Sequence, residues 1–433
     1  MDTAATHAPE RAIDITVERP LLKVPSLLII DDAAPGIHVY HRHVRDVHQE
    51  APVTKDGRPL QEFVPNDFMR RFVQLVKAHG MKGKLSVVPN PGGDGSIAEA
   101  VSGVSLSDLR SWLRMAAVDL RGRFDLGPEM ITHNLAVDLD TGAFVPLSES
   151  EWSQTQSEAS LTRYVAAALQ IMKQAGLQPT GVTSPWVFGL QVEPAYVRAI
   201  LSAMRQVAGR TICWYFLRVG SPDSRPEVML FDPAEQACVV SITPSVASDF
   251  FWETIDTPDT SAAYVSRVAD QGLSEEGSHG AFLEVMRAGG WLIWYTHWQS
   301  LFSNGLETGL QALGLLAARL RRLLADRLMW ITPLEAAIYA AAAHRLTVWA
   351  SSANNGTLSL RIDSPFGCRN LTFSAPVASA PRCVTCNGRP LRRRTHPASA
   401  LMPNSWFHRN GTLYAAVDTT CQTTPISHTR RHK

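Results

Sequence analysis

The chain has 433 residues, 45% of them hydrophobic and 19% charged, which is enough for one large domain and a smaller one. A formal net charge of +1 provides no field for nucleic acid or for an anionic membrane surface, so neither is the expected partner. No stretch reaches the roughly 18 apolar residues of a membrane helix, and segment 1–20 has acids but no apolar h-region, so a cytoplasmic location is expected.

The first element is the run 24–32, Val-Pro-Ser-Leu-Leu-Ile-Ile followed by Asp31 and Asp32. An apolar run of this length reads as a strand buried on both faces. Such a strand has no structural use for two carboxylates at its end. In parallel α/β architectures that C-terminal end is where ligands bind, and adjacent acids there suit a metal ligand beside a general base. Pro65-Asn66-Asp67 then opens a helix whose apolar positions Phe68, Phe72, Leu75 and Val76 recur at helical spacing until Gly80. Residues 84–88 form a short strand, stopped by Pro89-Asn90-Pro91-Gly92-Gly93. Ser105 and Asp108 start a helix reaching about residue 120, and 130–132 reads as a strand. The pattern continues as helix 161–174, strand 181–183, helix 194–207, and strands 212–219 and 237–242. A broken helix over 262–288, a strand over 291–295 ending at Thr296-His297, and a long helix over 306–328 follow.

Strand and helix thus alternate about seven times in roughly 300 residues, which implies a parallel sheet covered by helices. The expected fold is an α/β (β/α) barrel of about seven strands over residues 1–344. Thr332-Pro333-Leu334-Glu335, a capping box with proline in the first turn, begins its last helix. From residue 345 short β-like runs at 346–349, 357–362, 371–374 and 412–417 are separated by Ser, Asn, Gly and Pro. They predict a small all-β domain over 345–433. Cys213 and Cys238 lie in apolar runs and read as inert core. Cys368, Cys383, Cys386 and Cys421 fall in the C-terminal part, at spacings irregular for a zinc ribbon, and are open to free thiols, disulfides or zinc.

Three strand ends carry polar residues that packing does not require: Asp31-Asp32, Thr132-His133-Asn134 and Thr296-His297. In a barrel such ends converge on one mouth, and Asp with His is a ligand set for zinc or another divalent metal. The other Asp and His could then act as base and acid.

These residues stand in an order that resembles the polysaccharide deacetylase family. Ile29-Ile30-Asp31-Asp32-Ala33 is similar to its T-F-D-D-G motif, and Glu129-Met130-Ile131-Thr132-His133-Asn134-Leu135-Ala136-Val137 to its E-I-G-x-H-[ST]-x-x-H motif. Thr183-Ser184-Pro185-Trp186 resembles R-x-P-[WY]-G, and Leu292-Ile293-Trp294-Tyr295-Thr296-His297 the closing strand that ends in histidine. The resemblance spans about residues 20–330. It implies a metal-dependent hydrolase, with Asp31 as general base, Asp32 and His133 as ligands of a divalent metal such as zinc, and His297 as general acid. The implied reaction is attack of water on an acetamide or ester carbonyl of an acetylated polysaccharide or oligosaccharide. Val137 stands where the motif has its second ligand histidine, and Thr183 or Ser184 where it has arginine. The third ligand is therefore either supplied from elsewhere or no catalytic metal is held.

His38, His41, His43 and His48 follow the acid pair and could supply a ligand, or form a solvated loop. Trp186, Trp298, Asp249 and Trp252 are candidates for a substrate wall, the tryptophans because indole rings stack on sugars. Each also has a plain packing reading. Two other functions remain open: a glycoside hydrolase pairing Asp31 or Asp32 with Glu129, Asp138, Asp249 or Glu253, and a sugar-binding protein without catalysis. The sequence does not specify the oligomeric state.

Overall fold

A computed structural model describes residues 9–394 and 401–419. Contacts divide the chain into two compact units, one of residues 24–337 and one built from the described residues before Val24 and after Ala337. The division falls inside the helix Pro333–His344.

The larger unit contains β1 (Val24–Ala33), β2 (Gly83–Val87), β3 (Phe124–Pro128), β4 (Gly181–Thr183) and β5 (Ile212–Phe216). After them come β6 (Glu227–Asp232), β7 (Ala237–Ser241), β8 (Leu292–His297) and β9 (Leu328–Trp330). One parallel sheet runs β8-β1-β2-β3, with β9 also paired to β1. A second runs β6-β7-β5-β4, parallel except for the edge strand β6. Parallel bridges at Leu126–Pro179 and Glu129–Thr183 connect β3 to the β4 region. On the other side the Ser245 N–H donates to the Ile293 carbonyl in β8 at 2.8 Å. Every residue of β1 is buried, which is what an apolar run covered on both faces requires.

Helices Asn66–His79, Leu106–Arg114, Glu158–Gln174, Glu193–Ala203, Ala262–Gly272 and Thr308–Leu324 alternate with these strands. Their apolar stripes bury Phe68, Phe72, Trp112, Leu313 and Leu316 against the first sheet, and Tyr164, Leu169, Tyr196 and Ile200 against the second. Two expectations are corrected. The strand expected at 130–132 lies earlier, at Phe124–Pro128, and 130–132 is a loop. The helix expected over 306–328 stops at Leu324, and Leu328–Trp330 is a strand.

The smaller unit has two five-stranded sheets. The four runs expected there appear as Thr347–Ser352, Thr357–Asp363, Cys368–Pro376 and Thr412–Thr419. Arg11–Ile13 and Thr16–Val17 complete sheet edges in this unit, pairing with Thr347–Ser352 and Cys368–Pro376. The five described cysteines are free thiols, and burial pushes the Cys386 thiol up to about 11. Cys421 lies outside the described residues. Among the described residues no helix is long and apolar enough to cross a membrane.

Candidate active site

Successive strand side chains point to opposite faces, yet Asp31 and Asp32 both line one cavity of about 450 Å³. The cause is a bulge. The pairing of β1 with β2 slips between Ile30 and Ala33, and Asp32 takes a left-handed φ of 64°. Asp31 keeps its register and sits directly opposite His297 at the end of β8.

The two acids face different partners. Asp31 Oδ1 accepts from Lys84 Nζ at 2.6 Å and from Ser86 Oγ at 2.7 Å. Lys84 Nζ also donates to Ser86 Oγ at 2.6 Å and to Thr183 Oγ1. Lys84 is 1% exposed, and its ammonium lies 4.7 Å from the Phe216 ring centroid. Lys84 ends no apolar run, so it carries no strand-end signal in the sequence. Its signal was a lysine inside an otherwise uncharged buried strand.

Asp32 faces His133, whose Nε2 lies 2.9 Å from Asp32 Oδ1 and 3.5 Å from Glu129 Oε1. The Asp32 N–H donates to Glu129 Oε2 at 2.7 Å, and Gln299 Nε2 donates to Asp32 Oδ2. Burial opposes the Asp32 charge, but His133 outweighs it and holds the carboxyl well below its usual range. Burial likewise opposes an imidazolium at His133, and Asp32 and Glu129 together hold it well above the usual value. Burial, with the Asp32 and Asp31 charges, raises Glu129.

Among the described residues, Asp32, Glu129 and His133 form the one group of three or more potential ligands whose donor atoms lie within 4.8 Å of one another. They fit a divalent metal. Tetrahedral zinc with bonds near 2.0–2.1 Å separates its ligand atoms by about 3.3 Å, close to the 2.9 and 3.5 Å seen here. The sequence left the third ligand unassigned; Glu129, four residues before His133 and at the end of β3, is the candidate. Val137 is not at the cavity; its N–H donates to the Tyr164 hydroxyl at 3.2 Å. His133 Nδ1 is buried without a partner.

The loop carrying His133 is strained and braced. Met130 and His133 have φ values of 49° and 53°, a conformation non-glycine residues seldom adopt. Fully buried Glu149 holds it: Oε1 accepts the Ile131 and Thr132 N–H groups at 2.8 and 3.0 Å, and Oε2 accepts the His133 N–H at 2.9 Å. The Tyr164 hydroxyl adds a fourth bond at 2.7 Å. Burial still pushes Glu149 up to about 7. Nothing in the sequence marked Glu149, which follows the helix-capping Ser148 and reads as first-turn acid.

On the opposite side, His297 Nδ1 is 2.8 Å from Asp249 Oδ2, which also accepts the His297 N–H at 3.2 Å and Ser300 Oγ at 2.9 Å. Burial opposes the His297 charge, but the Asp249 hydrogen bond and the charges of Asp32, Asp249 and Asp31 raise it to about 9. Asp249 is therefore not a substrate wall; it is buried behind the histidine. Trp298 is corrected as well. At 1% exposure its ring packs edge-on against Phe68 and Phe72 in the core. Trp186 and Trp252 do line the cavity. Trp186 is 42% exposed, with φ 47°, and its ring lies tilted against His43 and His133, with centroids 4.2 and 4.4 Å away. Trp252 meets His297 edge-on at 5.1 Å.

The histidine segment is not a solvated loop. His38 caps the helix Val39–Asp46 by accepting the His41 N–H at 3.1 Å, and His38 and His43 are buried. Burial is the leading cause that lowers both to about 3. His43 and His48 line the cavity with their Nε2 atoms 2.8 Å apart, outside the Asp32–Glu129–His133 group. Asp138 and Glu253 do not line the cavity.

No family model matches the chain, and no curated protein matches it. Among solved structures it is similar to one from Mycobacterium smegmatis assigned as a polysaccharide deacetylase, with 11% identity, TM-score 0.41, and coverage of 74% of this chain and 92% of that one. It is similar to Agd3, described as a novel carbohydrate deacetylase, with 11% identity and TM-score 0.40 over 94% of this chain. It spans 65% of the Agd3 chain. PhdJ bound to a substrate intermediate matches with 10% identity and TM-score 0.24 over 74% of this chain and 70% of that one.

Proposed function

We propose that this chain is a metal-dependent hydrolase that removes acetyl groups from an N- or O-acetylated polysaccharide or oligosaccharide. The two parallel sheets of residues 24–337 are read as one (β/α) barrel of about seven strands, with the cavity at the C-terminal strand ends. The observation that carries the reading is the register of Asp31 with His297 beside the Asp32–Glu129–His133 group. A divalent metal such as zinc held by Asp32, His133 and Glu129 would polarise the scissile carbonyl and acidify the attacking water.

The chain's own groups do the rest. Asp31, with Oδ1 committed to Lys84 and Ser86, takes the water proton on its other oxygen. His297, charged below about pH 9 and held from behind by Asp249, donates a proton from Nε2 to the leaving nitrogen or oxygen. The C–N or C–O bond then breaks, releasing acetate and a free amine or hydroxyl. Trp186 and Trp252 offer ring faces for the sugar.

The test is acetate release from penta-N-acetylchitopentaose, acetylated xylan and 4-nitrophenyl acetate, with metal analysis of the purified protein. Stoichiometric metal, and acetate release lost to a chelator and restored by zinc, support the reading. Metal-free protein that cleaves a glycosidic bond and releases no acetate would replace it with the glycoside hydrolase alternative. Sugar binding without turnover would leave a binding protein.

A further inference from the structure

A buried lysine costs folding free energy unless its charge is paired and each N–H is used. Lys84 meets both conditions inside the large unit: among the described residues Asp31 is its one ion-pair partner, and Ser86 and Thr183 take its remaining donors. Ser86 is shared, since its hydroxyl also reaches Asp31 Oδ1 at 2.7 Å. All four residues are buried, and they come from β1, β2 and β4. A network of this kind fixes one carboxylate oxygen in space and leaves the other for chemistry. Packing alone does not explain it, because an apolar residue at position 84 would fill the same strand without the desolvation cost.

We infer that Lys84 is the positioning residue of the reaction: it holds the Asp31 carboxylate in the orientation that receives the water proton. Lys84 is not itself part of the cavity lining or of the Asp32–Glu129–His133 group, so it reaches the reaction through Asp31, which does line the cavity. The inference rests on the reading of Asp31 as general base. Thr183 carries the second half of the argument. Its hydroxyl contacts Lys84 Nζ from β4, beyond β3, so a cation rooted at 183 delivers its charge to the same place.

The experiment compares wild type, Lys84→Met, the exchanged pair Lys84→Thr with Thr183→Lys, and Asp31→Asn, all as the full chain. The readouts are kcat and KM for 4-nitrophenyl acetate and penta-N-acetylchitopentaose, zinc affinity by calorimetry, and thermal midpoint. Lys84→Met is expected to lower kcat roughly 10²-fold or more, the scale of a misplaced catalytic group, with KM and zinc affinity within threefold of wild type. The exchanged pair is expected to regain at least tenfold in kcat over Lys84→Met. It keeps the buried charge balance, so it also serves if Lys84→Met fails to fold. A folded Lys84→Met with wild-type kcat, or an exchanged pair that folds, binds zinc and shows no recovery, overturns the assignment of Lys84. Full activity in Asp31→Asn, or no acetate release by wild type on either probe, overturns the base reading itself.

Discussion

Replacing Asp249 with Asn should uncouple His297 from the charge that keeps it protonated. The carboxylate takes three donors on Oδ2, from His297 Nδ1, the His297 N–H and Ser300, and the Phe251 N–H on Oδ1 at 2.9 Å. An amide matches the shape but loses the charge, and turns an NH2 toward at least one of those donors. His297 stands at about 9 against an ordinary 6.5, a preference for the charged form of about 3 kcal/mol at 1.36 kcal/mol per pH unit. Burial pulls the other way, so without Asp249 only Asp32 and Asp31 oppose it, and the value should fall. The sign for stability follows. A raised folded value contributes below about 6.5 and is lost as pH rises through about 9. The assay is the His297 ring-proton titration by NMR, beside the pH profile of acetate release from 4-nitrophenyl acetate. The alkaline limb should move down from about pH 9, with kcat at pH 8 down about tenfold and the loss smaller at pH 5.5. An unchanged His297 titration in the variant would refute the account of what holds the proton.

Glu149→Gln should lower stability by about 2–4 kcal/mol, because the amide NH2 meets one of the three backbone N–H groups that both carboxylate oxygens now accept. Its thermal midpoint and zinc affinity should drop together, since the same loop carries His133; a drop in neither would show that the loop holds itself. Trp298→Ala should cost about 3–5 kcal/mol of stability as a core cavity, whereas Trp186→Ala should leave the midpoint nearly unchanged and raise KM for penta-N-acetylchitopentaose. Chemical denaturation and steady-state kinetics separate the two, and the reverse pattern would exchange their roles. Zinc binding should release close to one proton at pH 7 and tighten as pH rises, because His133 is held charged by Asp32 and Glu129 until a metal replaces its proton. Calorimetry in buffers of different ionisation heat counts that proton, and Glu129→Gln should weaken binding more than tenfold; wild-type affinity there would remove Glu129 from the ligand set.

The alternation of strands and helices was legible because each buried parallel strand is a short apolar run bounded by turn residues, and β1 and β8 are of that kind. Strand β3 was displaced because Met130-Ile131-Thr132 is more apolar and β-branched than Phe124–Pro128, and composition cannot show that Glu149 pins the former as a loop. Asp31, Asp32, His133 and His297, which line one cavity, stood out because a polar residue ending an apolar run has no packing reason. Lys84 and Glu149 were not, because each lies inside an element or cap where a charged residue has an ordinary role. Trp298 and Asp249 were placed on the wrong surface for a related reason. Sequence adjacency to His297, or to the aromatic run at 250–252, says nothing about which side of a strand end a residue takes.

The adjacency of Asp31 and Asp32 gains its meaning from charge. The bulge at Asp32 gives each acid its own cation, Lys84 for Asp31 and His133 for Asp32. Glu129 is the third carboxylate in contact with this set, hydrogen-bonded through its own oxygen to the Asp32 N–H. With His133 protonated, three carboxylates face two cations, and one negative charge remains uncompensated in a buried site. Exchange of the His133 proton for a divalent ion leaves three carboxylates against one ammonium and two metal charges, which balance. A monovalent ion does not balance the set, and a trivalent ion overshoots it. The raised Glu129 is the residual strain of the proton-filled state: it is the carboxylate that feels both neighbouring acids once burial has taken its share. On this argument a divalent ion here would take an acid, and not a second histidine, as its third ligand, because this chain already carries a buried lysine beside Asp31 and would need the extra negative charge to hold the ion at neutrality.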